Sequence, residues 1–159
     1  MARSKWIPKR LFVRFAQVGH ARRLLLAEAT LQLGLARLAL IVLPFRVIAA
    51  RTGAFAAPDA PAVRAAPAVA GPEEQALARE IGWAVTRAAR YLPFKAVCLP
   101  QALAARKMLA RRGVGSVLHF GAARSAEKSF DAHAWLDAAG VEVTGYPVGK
   151  QFAEIACFM

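Results

Sequence analysis

The stretch CLPQALAARKMLARRGVGSVLHFG, residues 98–121, decides the architecture. Its first half is dense in Ala, Leu, Lys, Arg, Gln and Met, all good helix formers. Pro100 stands in the first turn, Leu103 and Leu109 share one side, and Arg111 and Arg112 sit near the negative end. This predicts a helix over 99–112, stopped by Gly113. The second half changes period: Val114 to Gly121 reads as a strand. A cysteine, Cys98, stands at the helix start.

Working outward, Pro72-Glu73-Glu74 has the form of a helix start, and Leu77, Ile81, Val85 and Ala88 continue it at helical spacing, predicting a helix over 73–91. Tyr91-Leu92-Pro93-Phe94 breaks it. Downstream, Arg124 to Ser129 is a polar loop. Ala132 to Asp137 and Val141 to Thr144 are strands joined by the turn Ala138-Ala139-Gly140, and residues 151–158 offer one more. Helices followed by an antiparallel sheet make the fold class α+β.

Upstream, residues 24–50, LLLAEATLQLGLARLALIVLPFRVIAA, are strongly apolar, interrupted by Glu28, Gln32 and Arg37. A membrane span needs about 20 predominantly apolar residues, and a central Arg costs at least ~2.5 kcal/mol. The stretch reads as an amphipathic or core helix that Pro44 ends or kinks. Residues 1–23 are basic with Trp6, Phe12 and Phe15 interleaved. Residues 52–72 are an Ala/Pro-rich linker. The chain thus divides into a basic, apolar helical segment (1–51), a linker (52–72) and a compact domain (73–159).

The net charge of +12 is uneven: residues 1–51 carry ten Lys and Arg against the single acid Glu28. Such a segment points to an anionic partner such as a membrane surface, with residues 1–51 lying along it, or to a solvated basic face. Two cysteines do not make a disulfide framework and suit a reducing cytoplasm; no CxxC or Cys/His cluster suggests zinc. The N-terminus does not read as a secretory signal, because its first apolar run begins at Leu24 after many charges. No metal or cofactor is expected.

The chemistry centres on Cys98. The positive end of a helix dipole favours a thiolate, which is the reactive form of the side chain. His133 lies in a predicted strand 35 residues later, between small Ala132 and Ala134. A Cys–His pair raises thiolate content and supplies a proton to a leaving amine. The alternatives are a structural cysteine and a core histidine. His119, followed by Phe120, reads as structural, and His20 as a surface residue. An orienting group for the imidazole is harder to find. Asp137 lies on the same strand face as His133 but about 13 Å along it. Glu142 is offset on the opposing strand, Thr144 lies nearer but has no carboxylate, and Asp131 is only two residues before the histidine. Trp135 walls the site or fills the core. Gln101 is a candidate oxyanion donor, though backbone N–H groups around Cys98 are better motivated. Cys157, in an apolar terminal segment, reads as buried and inert.

The blocks CLPQAL and AHAW, within YLPFKAVCLPQALAARKMLARRGV and AHAWLDAAGVEVTG, resemble the transglutaminase-like leader peptidases of lasso-peptide biosynthesis, the B proteins. The likeness covers residues 75–158, and residues 24–50 are similar to the helical segment preceding the catalytic domain in those proteins. It implies a transglutaminase/papain-like fold with the catalytic cysteine at a helix N-terminus on a small antiparallel sheet. It also implies a cytoplasmic cysteine peptidase that removes the leader of a ribosomally made precursor, with Cys98 as nucleophile and His133 as base. The partners implied are the precursor leader, a separate leader-recognition protein and an asparagine-synthetase-like cyclase. The family's Asp or Asn, about twelve residues after the histidine, falls here on Gly145. That leaves a Cys–His dyad, or Thr144, Glu142 or a backbone carbonyl as orienter. Acyl transfer to an amine and a non-catalytic scaffold are the other readings.

Overall fold

The computed structural model describes residues 19–65, 70–124 and 131–159. The basic aromatic stretch before Gly19 and most of the loop after Arg124 lie outside them. Helix α1 spans His20–Val42 and α2 spans Phe45–Thr52, with Pro44 between them. Proline removes a helical donor and clashes with the preceding turn, so one helix becomes two. Strand β1 (Phe55–Ala56) and helix α3 (Pro61–Ala65) follow, then α4 (Pro72–Ala89) and α5 (Cys98–Ala110). The remaining strands are β2 (Val117–Ala123), β3 (Asp131–Ala138), β4 (Val141–Thr144) and β5 (Ala153–Phe158).

These boundaries differ from the sequence expectation in three ways. Cys98 is the first helical residue rather than the residue before the helix, with Val97 as N-cap. The first long strand starts at Val117, because Val114 to Ser116 lead out of the α5 terminus. Within residues 52–72, β1 adds to the sheet, pairing Phe55 with Phe158 and Ala56 with Cys157.

Among the described residues the sheet has five strands in the order β1-β5-β2-β3-β4, antiparallel at every pairing given. Alternation divides it into two faces. Leu118, Ala134, Leu136, Ala138 and Val143 face α4 and α5, on which α1 packs in turn. The helices contribute Leu26, Ala29 and Leu33 from α1, Ala78, Ile81 and Val85 from α4, and Ala102, Ala105, Met108 and Leu109 from α5. The three- and four-residue spacings match the helical repeat, so each helix buries one stripe. Gly82 lets α4 approach β4: a Cβ there would stand 2.5 Å from the Val143 carbonyl oxygen. The opposite face holds His119, Trp135, Val117 and Cys157, with Val63 of α3 covering part of it.

Helix α1 is therefore part of the core on one side. Its other side is apolar and exposed: Leu31, Leu35, Leu38 and Val42 each have at least half their surface in solvent. By length and composition it is also long and apolar enough to cross a membrane. Polar contacts lock its inner side. The Glu28 carboxylate accepts two hydrogen bonds from Arg112, at 3.2 and 2.6 Å, and Arg22 of α1 pairs with Glu80 of α4 while lying over the Trp83 ring.

The Arg112 hydrogen bonds hold the Glu28 carboxyl below its ordinary value, against the opposing effect of burial. A depressed carboxylate stabilises the fold above its unfolded pKa and loses that contribution as pH falls through its folded one. Glu28→Gln is expected to cost about 1 kcal/mol at neutral pH. In denaturant titrations across pH, the gap to the parent should hold above the ordinary value of 4.5 and close in stronger acid. A gap independent of pH would contradict this.

Candidate active site

Helix α5 carries the thiol to one end of the sheet. Its C-terminal half lies by the start of β2, where Arg106 donates to the Ser116 and Phe158 carbonyls. A 13-residue helix spans about 20 Å, close to the length of β2. The N-terminus of α5 therefore lies toward the far end of β2, which is where antiparallel β3 begins. The starts of α5 and β3 thus share one end of the fold, with Cys98 on the helix-bearing side of the sheet and the His133 ring, by alternation, on the other.

Cys98 is half-buried, reduced, and packed against the edge of the core. It occupies the first position of α5, so the N–H groups of Cys98 and Leu99 have no partner within the helix. Pro100 has none to offer. The first N–H that turns inward is that of Gln101, which donates to the Val97 carbonyl at 3.3 Å. The Gln101 side chain also turns back: its Nε2 donates to the Ala96 carbonyl at 2.6 Å, bracing the loop that delivers the cysteine.

His133 is anchored by its backbone neighbourhood. Its Nε2 lies 2.6 Å from the Gly145 carbonyl oxygen. A carbonyl only accepts, so Nε2 carries the proton, and in the neutral ring Nδ1 keeps its lone pair. The ring is flanked by Trp135, with centroids 6.0 Å apart, and by Phe152 at 5.2 Å. No hydrogen bond joins Cys98 to His133 among the described residues.

The candidate orienting side chains point elsewhere. Thr144 is buried and its hydroxyl has no hydrogen-bond partner. Glu142 sits opposite Asp137 in the β3–β4 ladder. Asp137 accepts a hydrogen bond from the Tyr146 hydroxyl at 2.5 Å and faces His119. It is the Gly145 carbonyl that holds the ring, at the position where the resemblance leads one to seek a carboxylate. The backbone explains the glycine. Gly145 has φ +86°, and a Cβ there would stand 2.5 Å from the Ala134 carbonyl oxygen and 2.8 Å from Trp135 Cα.

A second group of reactive side chains lies on the same sheet face and was read from the sequence as structural or inert. His119 stacks on Trp135, with ring centroids 5.5 Å apart and planes 2° apart. Its Nδ1 lies 2.5 Å from Glu154 Oε1 and 3.4 Å from the Cys157 sulfur, and the thiol donates to the same carboxylate at 2.9 Å. Its Nε2 is 3.3 Å from Asp137 Oδ2, an ion-pair contact without hydrogen-bond alignment. Burial opposes the charged imidazole, but the Asp137 and Glu154 carboxylates outweigh it and raise its pKa. Burial and Glu154 push the Cys157 thiol up to about 12. Burial and Asp137 raise the Tyr146 hydroxyl as well. Cys157 is thus a protonated, fully enclosed thiol, whereas Cys98 is only half-buried. A surface cavity lined by Glu74, Ser116, Val117 and Ala139 also reaches Asp137, at the end of β3 away from His133.

Gly145→Asp is expected not to supply a triad but to destabilise the fold by about 2 kcal/mol or more, from left-handed backbone strain and the clash with β3. Thermal unfolding checks this, and an undiminished melting temperature would overturn it. No curated protein matches the chain. No solved structure matches it either. The family model described as the transglutaminase-like superfamily matches residues 39–157, about three quarters of the chain. That span takes in the last four residues of α1, the cysteine-bearing helix and all of the sheet but Phe158, so the chain belongs to the transglutaminase-like superfamily, whose members are cysteine-type enzymes.

Proposed function

We propose that the protein is a cysteine peptidase that removes the leader from a ribosomally made lasso-peptide precursor. The observation that supports this is a first-turn cysteine and a backbone-anchored histidine in a chain of the transglutaminase-like superfamily. In this mechanism the His133 ring reaches Cys98 past the end of β3, Nδ1 takes the thiol proton, and the thiolate attacks the scissile carbonyl. The oxyanion accepts from the free Cys98 and Leu99 N–H groups, where the helix dipole adds to their effect. The leaving amine takes the proton back from Nδ1, and water then hydrolyses the thioester. The Gly145 carbonyl keeps Nε2 protonated throughout and stabilises the imidazolium, the part an orienting carboxylate plays in a triad.

The freed amine is the natural substrate of an asparagine-synthetase-like cyclase, and a separate recognition protein presents the leader. The cytoplasm is the proposed location, with the exposed Leu31, Leu35, Leu38 and Val42 stripe of α1 resting on an anionic membrane surface beside the basic N-terminal residues. The same nucleophile serves acyl transfer to an amine. The scaffold reading draws on Gly145 and on the lack of a Cys98–His133 hydrogen bond.

Incubation of the full chain with precursor and recognition protein, followed by mass spectrometry, separates these readings. Leader release should fall at least ~100-fold in Cys98→Ala and in His133→Ala. Release unchanged in both variants sinks the mechanism, and an amine-linked product in place of free leader indicates acyl transfer. For the membrane, Leu35→Glu/Leu38→Glu should abolish co-flotation with vesicles containing phosphatidylserine while leaving the melting temperature unchanged, because both side chains are exposed. Flotation equal to the parent would remove the membrane contact.

A further inference from the structure

We propose that His119, Glu154 and Cys157 form a binding site for a thiophilic divalent cation of the zinc type. Their ligand atoms, an imidazole Nδ1, a carboxylate oxygen and a thiol sulfur, all lie within 4.8 Å of one another. These are the three ligand types that zinc takes, at about 2.0–2.3 Å each. A tetrahedral ion places such atoms roughly 3.5 Å apart. The Cys157 to His119 separation of 3.4 Å already matches. Glu154 is closer, at 2.5 Å from Nδ1 and 2.9 Å from sulfur, and must withdraw by about 1 Å to admit the ion. It is the member able to do so, since its side chain is 31% exposed and that of His119 only 10%.

Two further features support a site rather than a chance meeting. The first is the irregularity in β5. Residues 154 and 157 are three apart, so regular alternation sends them to opposite faces. The register shifts between Phe120 and Gly121, which pair with Ala156 and Glu154 and leave Ile155 as the extra residue. That bulge turns Glu154 to the face of His119 and Cys157. The second is what lies behind the histidine. The buried Nε2 has no aligned hydrogen bond, yet it faces Asp137 at 3.3 Å, and Asp137 is itself held by the Tyr146 hydroxyl. A metal-bound imidazole is normally backed by a carboxylate on its other nitrogen, and that carboxylate is in turn hydrogen-bonded. A small rotation of the ring toward an ion at Nδ1 aligns Nε2–H with Asp137.

Charge also balances. Binding sends the Cys157 thiol proton and the Nδ1 proton to solvent. A thiolate and a carboxylate then neutralise the dication. Glu154 stands at the solvent side, so the fourth position is open to water. The rival reading is a proton-held cluster, with imidazolium between two carboxylates and a neutral thiol.

Cobalt(II) titration of the full-length, chelator-treated and reduced chain distinguishes the two. One cobalt per chain should bind, with visible tetrahedral absorption and thiolate-to-cobalt charge transfer, and zinc should bleach both. The charge transfer should survive Cys98→Ser and vanish in Cys157→Ser. Asp137→Asn should weaken binding 10–100-fold. Absence of saturable binding, or charge transfer that persists in Cys157→Ser, overturns the proposal. Should Cys157→Ser fail to fold, Glu154→Gln decides, because its side chain is partly exposed: affinity at least tenfold weaker supports the site, and unchanged affinity refutes it.

Discussion

The packing of α5 on the Ala134 and Leu136 face of β3 is the constraint on which the rest depends. Small buried residues on both elements, Ala102 and Ala105 of α5 and Ala134 of β3, suit a close approach of helix to sheet. That contact fixes where the helix begins, and hence where Cys98 stands relative to the start of β3. It also commits the odd-numbered residues of β3 to the opposite face. His133, Trp135 and Asp137 therefore form one row, and the chemistry of the domain is distributed along it. Shifting β3 by one residue would exchange the row for Ala132, Ala134 and Leu136 and remove the chemistry altogether.

Much of this order was legible in the sequence. The α+β class followed from a change of period after Gly113, and the break in the apolar N-terminal helix from Pro44. Cys98 stood out because a proline-bearing first turn announces a helix start. Family membership rests on a match spanning most of the chain, and the fold agrees with it. The role of Gly145 was less accessible. A missing carboxylate in a sequence looks like a lost function. Only the backbone path shows a carbonyl standing at that place, 2.6 Å from Nε2, with no space for a side chain.

The second cluster was hidden for a different reason. His119 and Cys157 are separated by 38 positions, and Glu154 stands on the wrong parity. Strand alternation is the main tool for assigning residues to a face, and a single extra residue defeats it. The bulge at Ile155 has no compositional signature in QFAEIACF. Likewise, β1 lies in a stretch whose Ala and Pro content reads as linker, because its pairing with β5 is a tertiary event rather than a local preference.

Trp135 has a consequence of its own. Its indole lies between the rings of His119 and His133, at 5.5 and 6.0 Å, and its side chain is almost fully enclosed. One chromophore thus borders both imidazoles, one of them proposed for acyl chemistry and the other for holding a cation. An event at either ring alters the electric field at the same indole. Two chemically separate places therefore share one aromatic wall, and neither can change its charge without the other's neighbour sensing it.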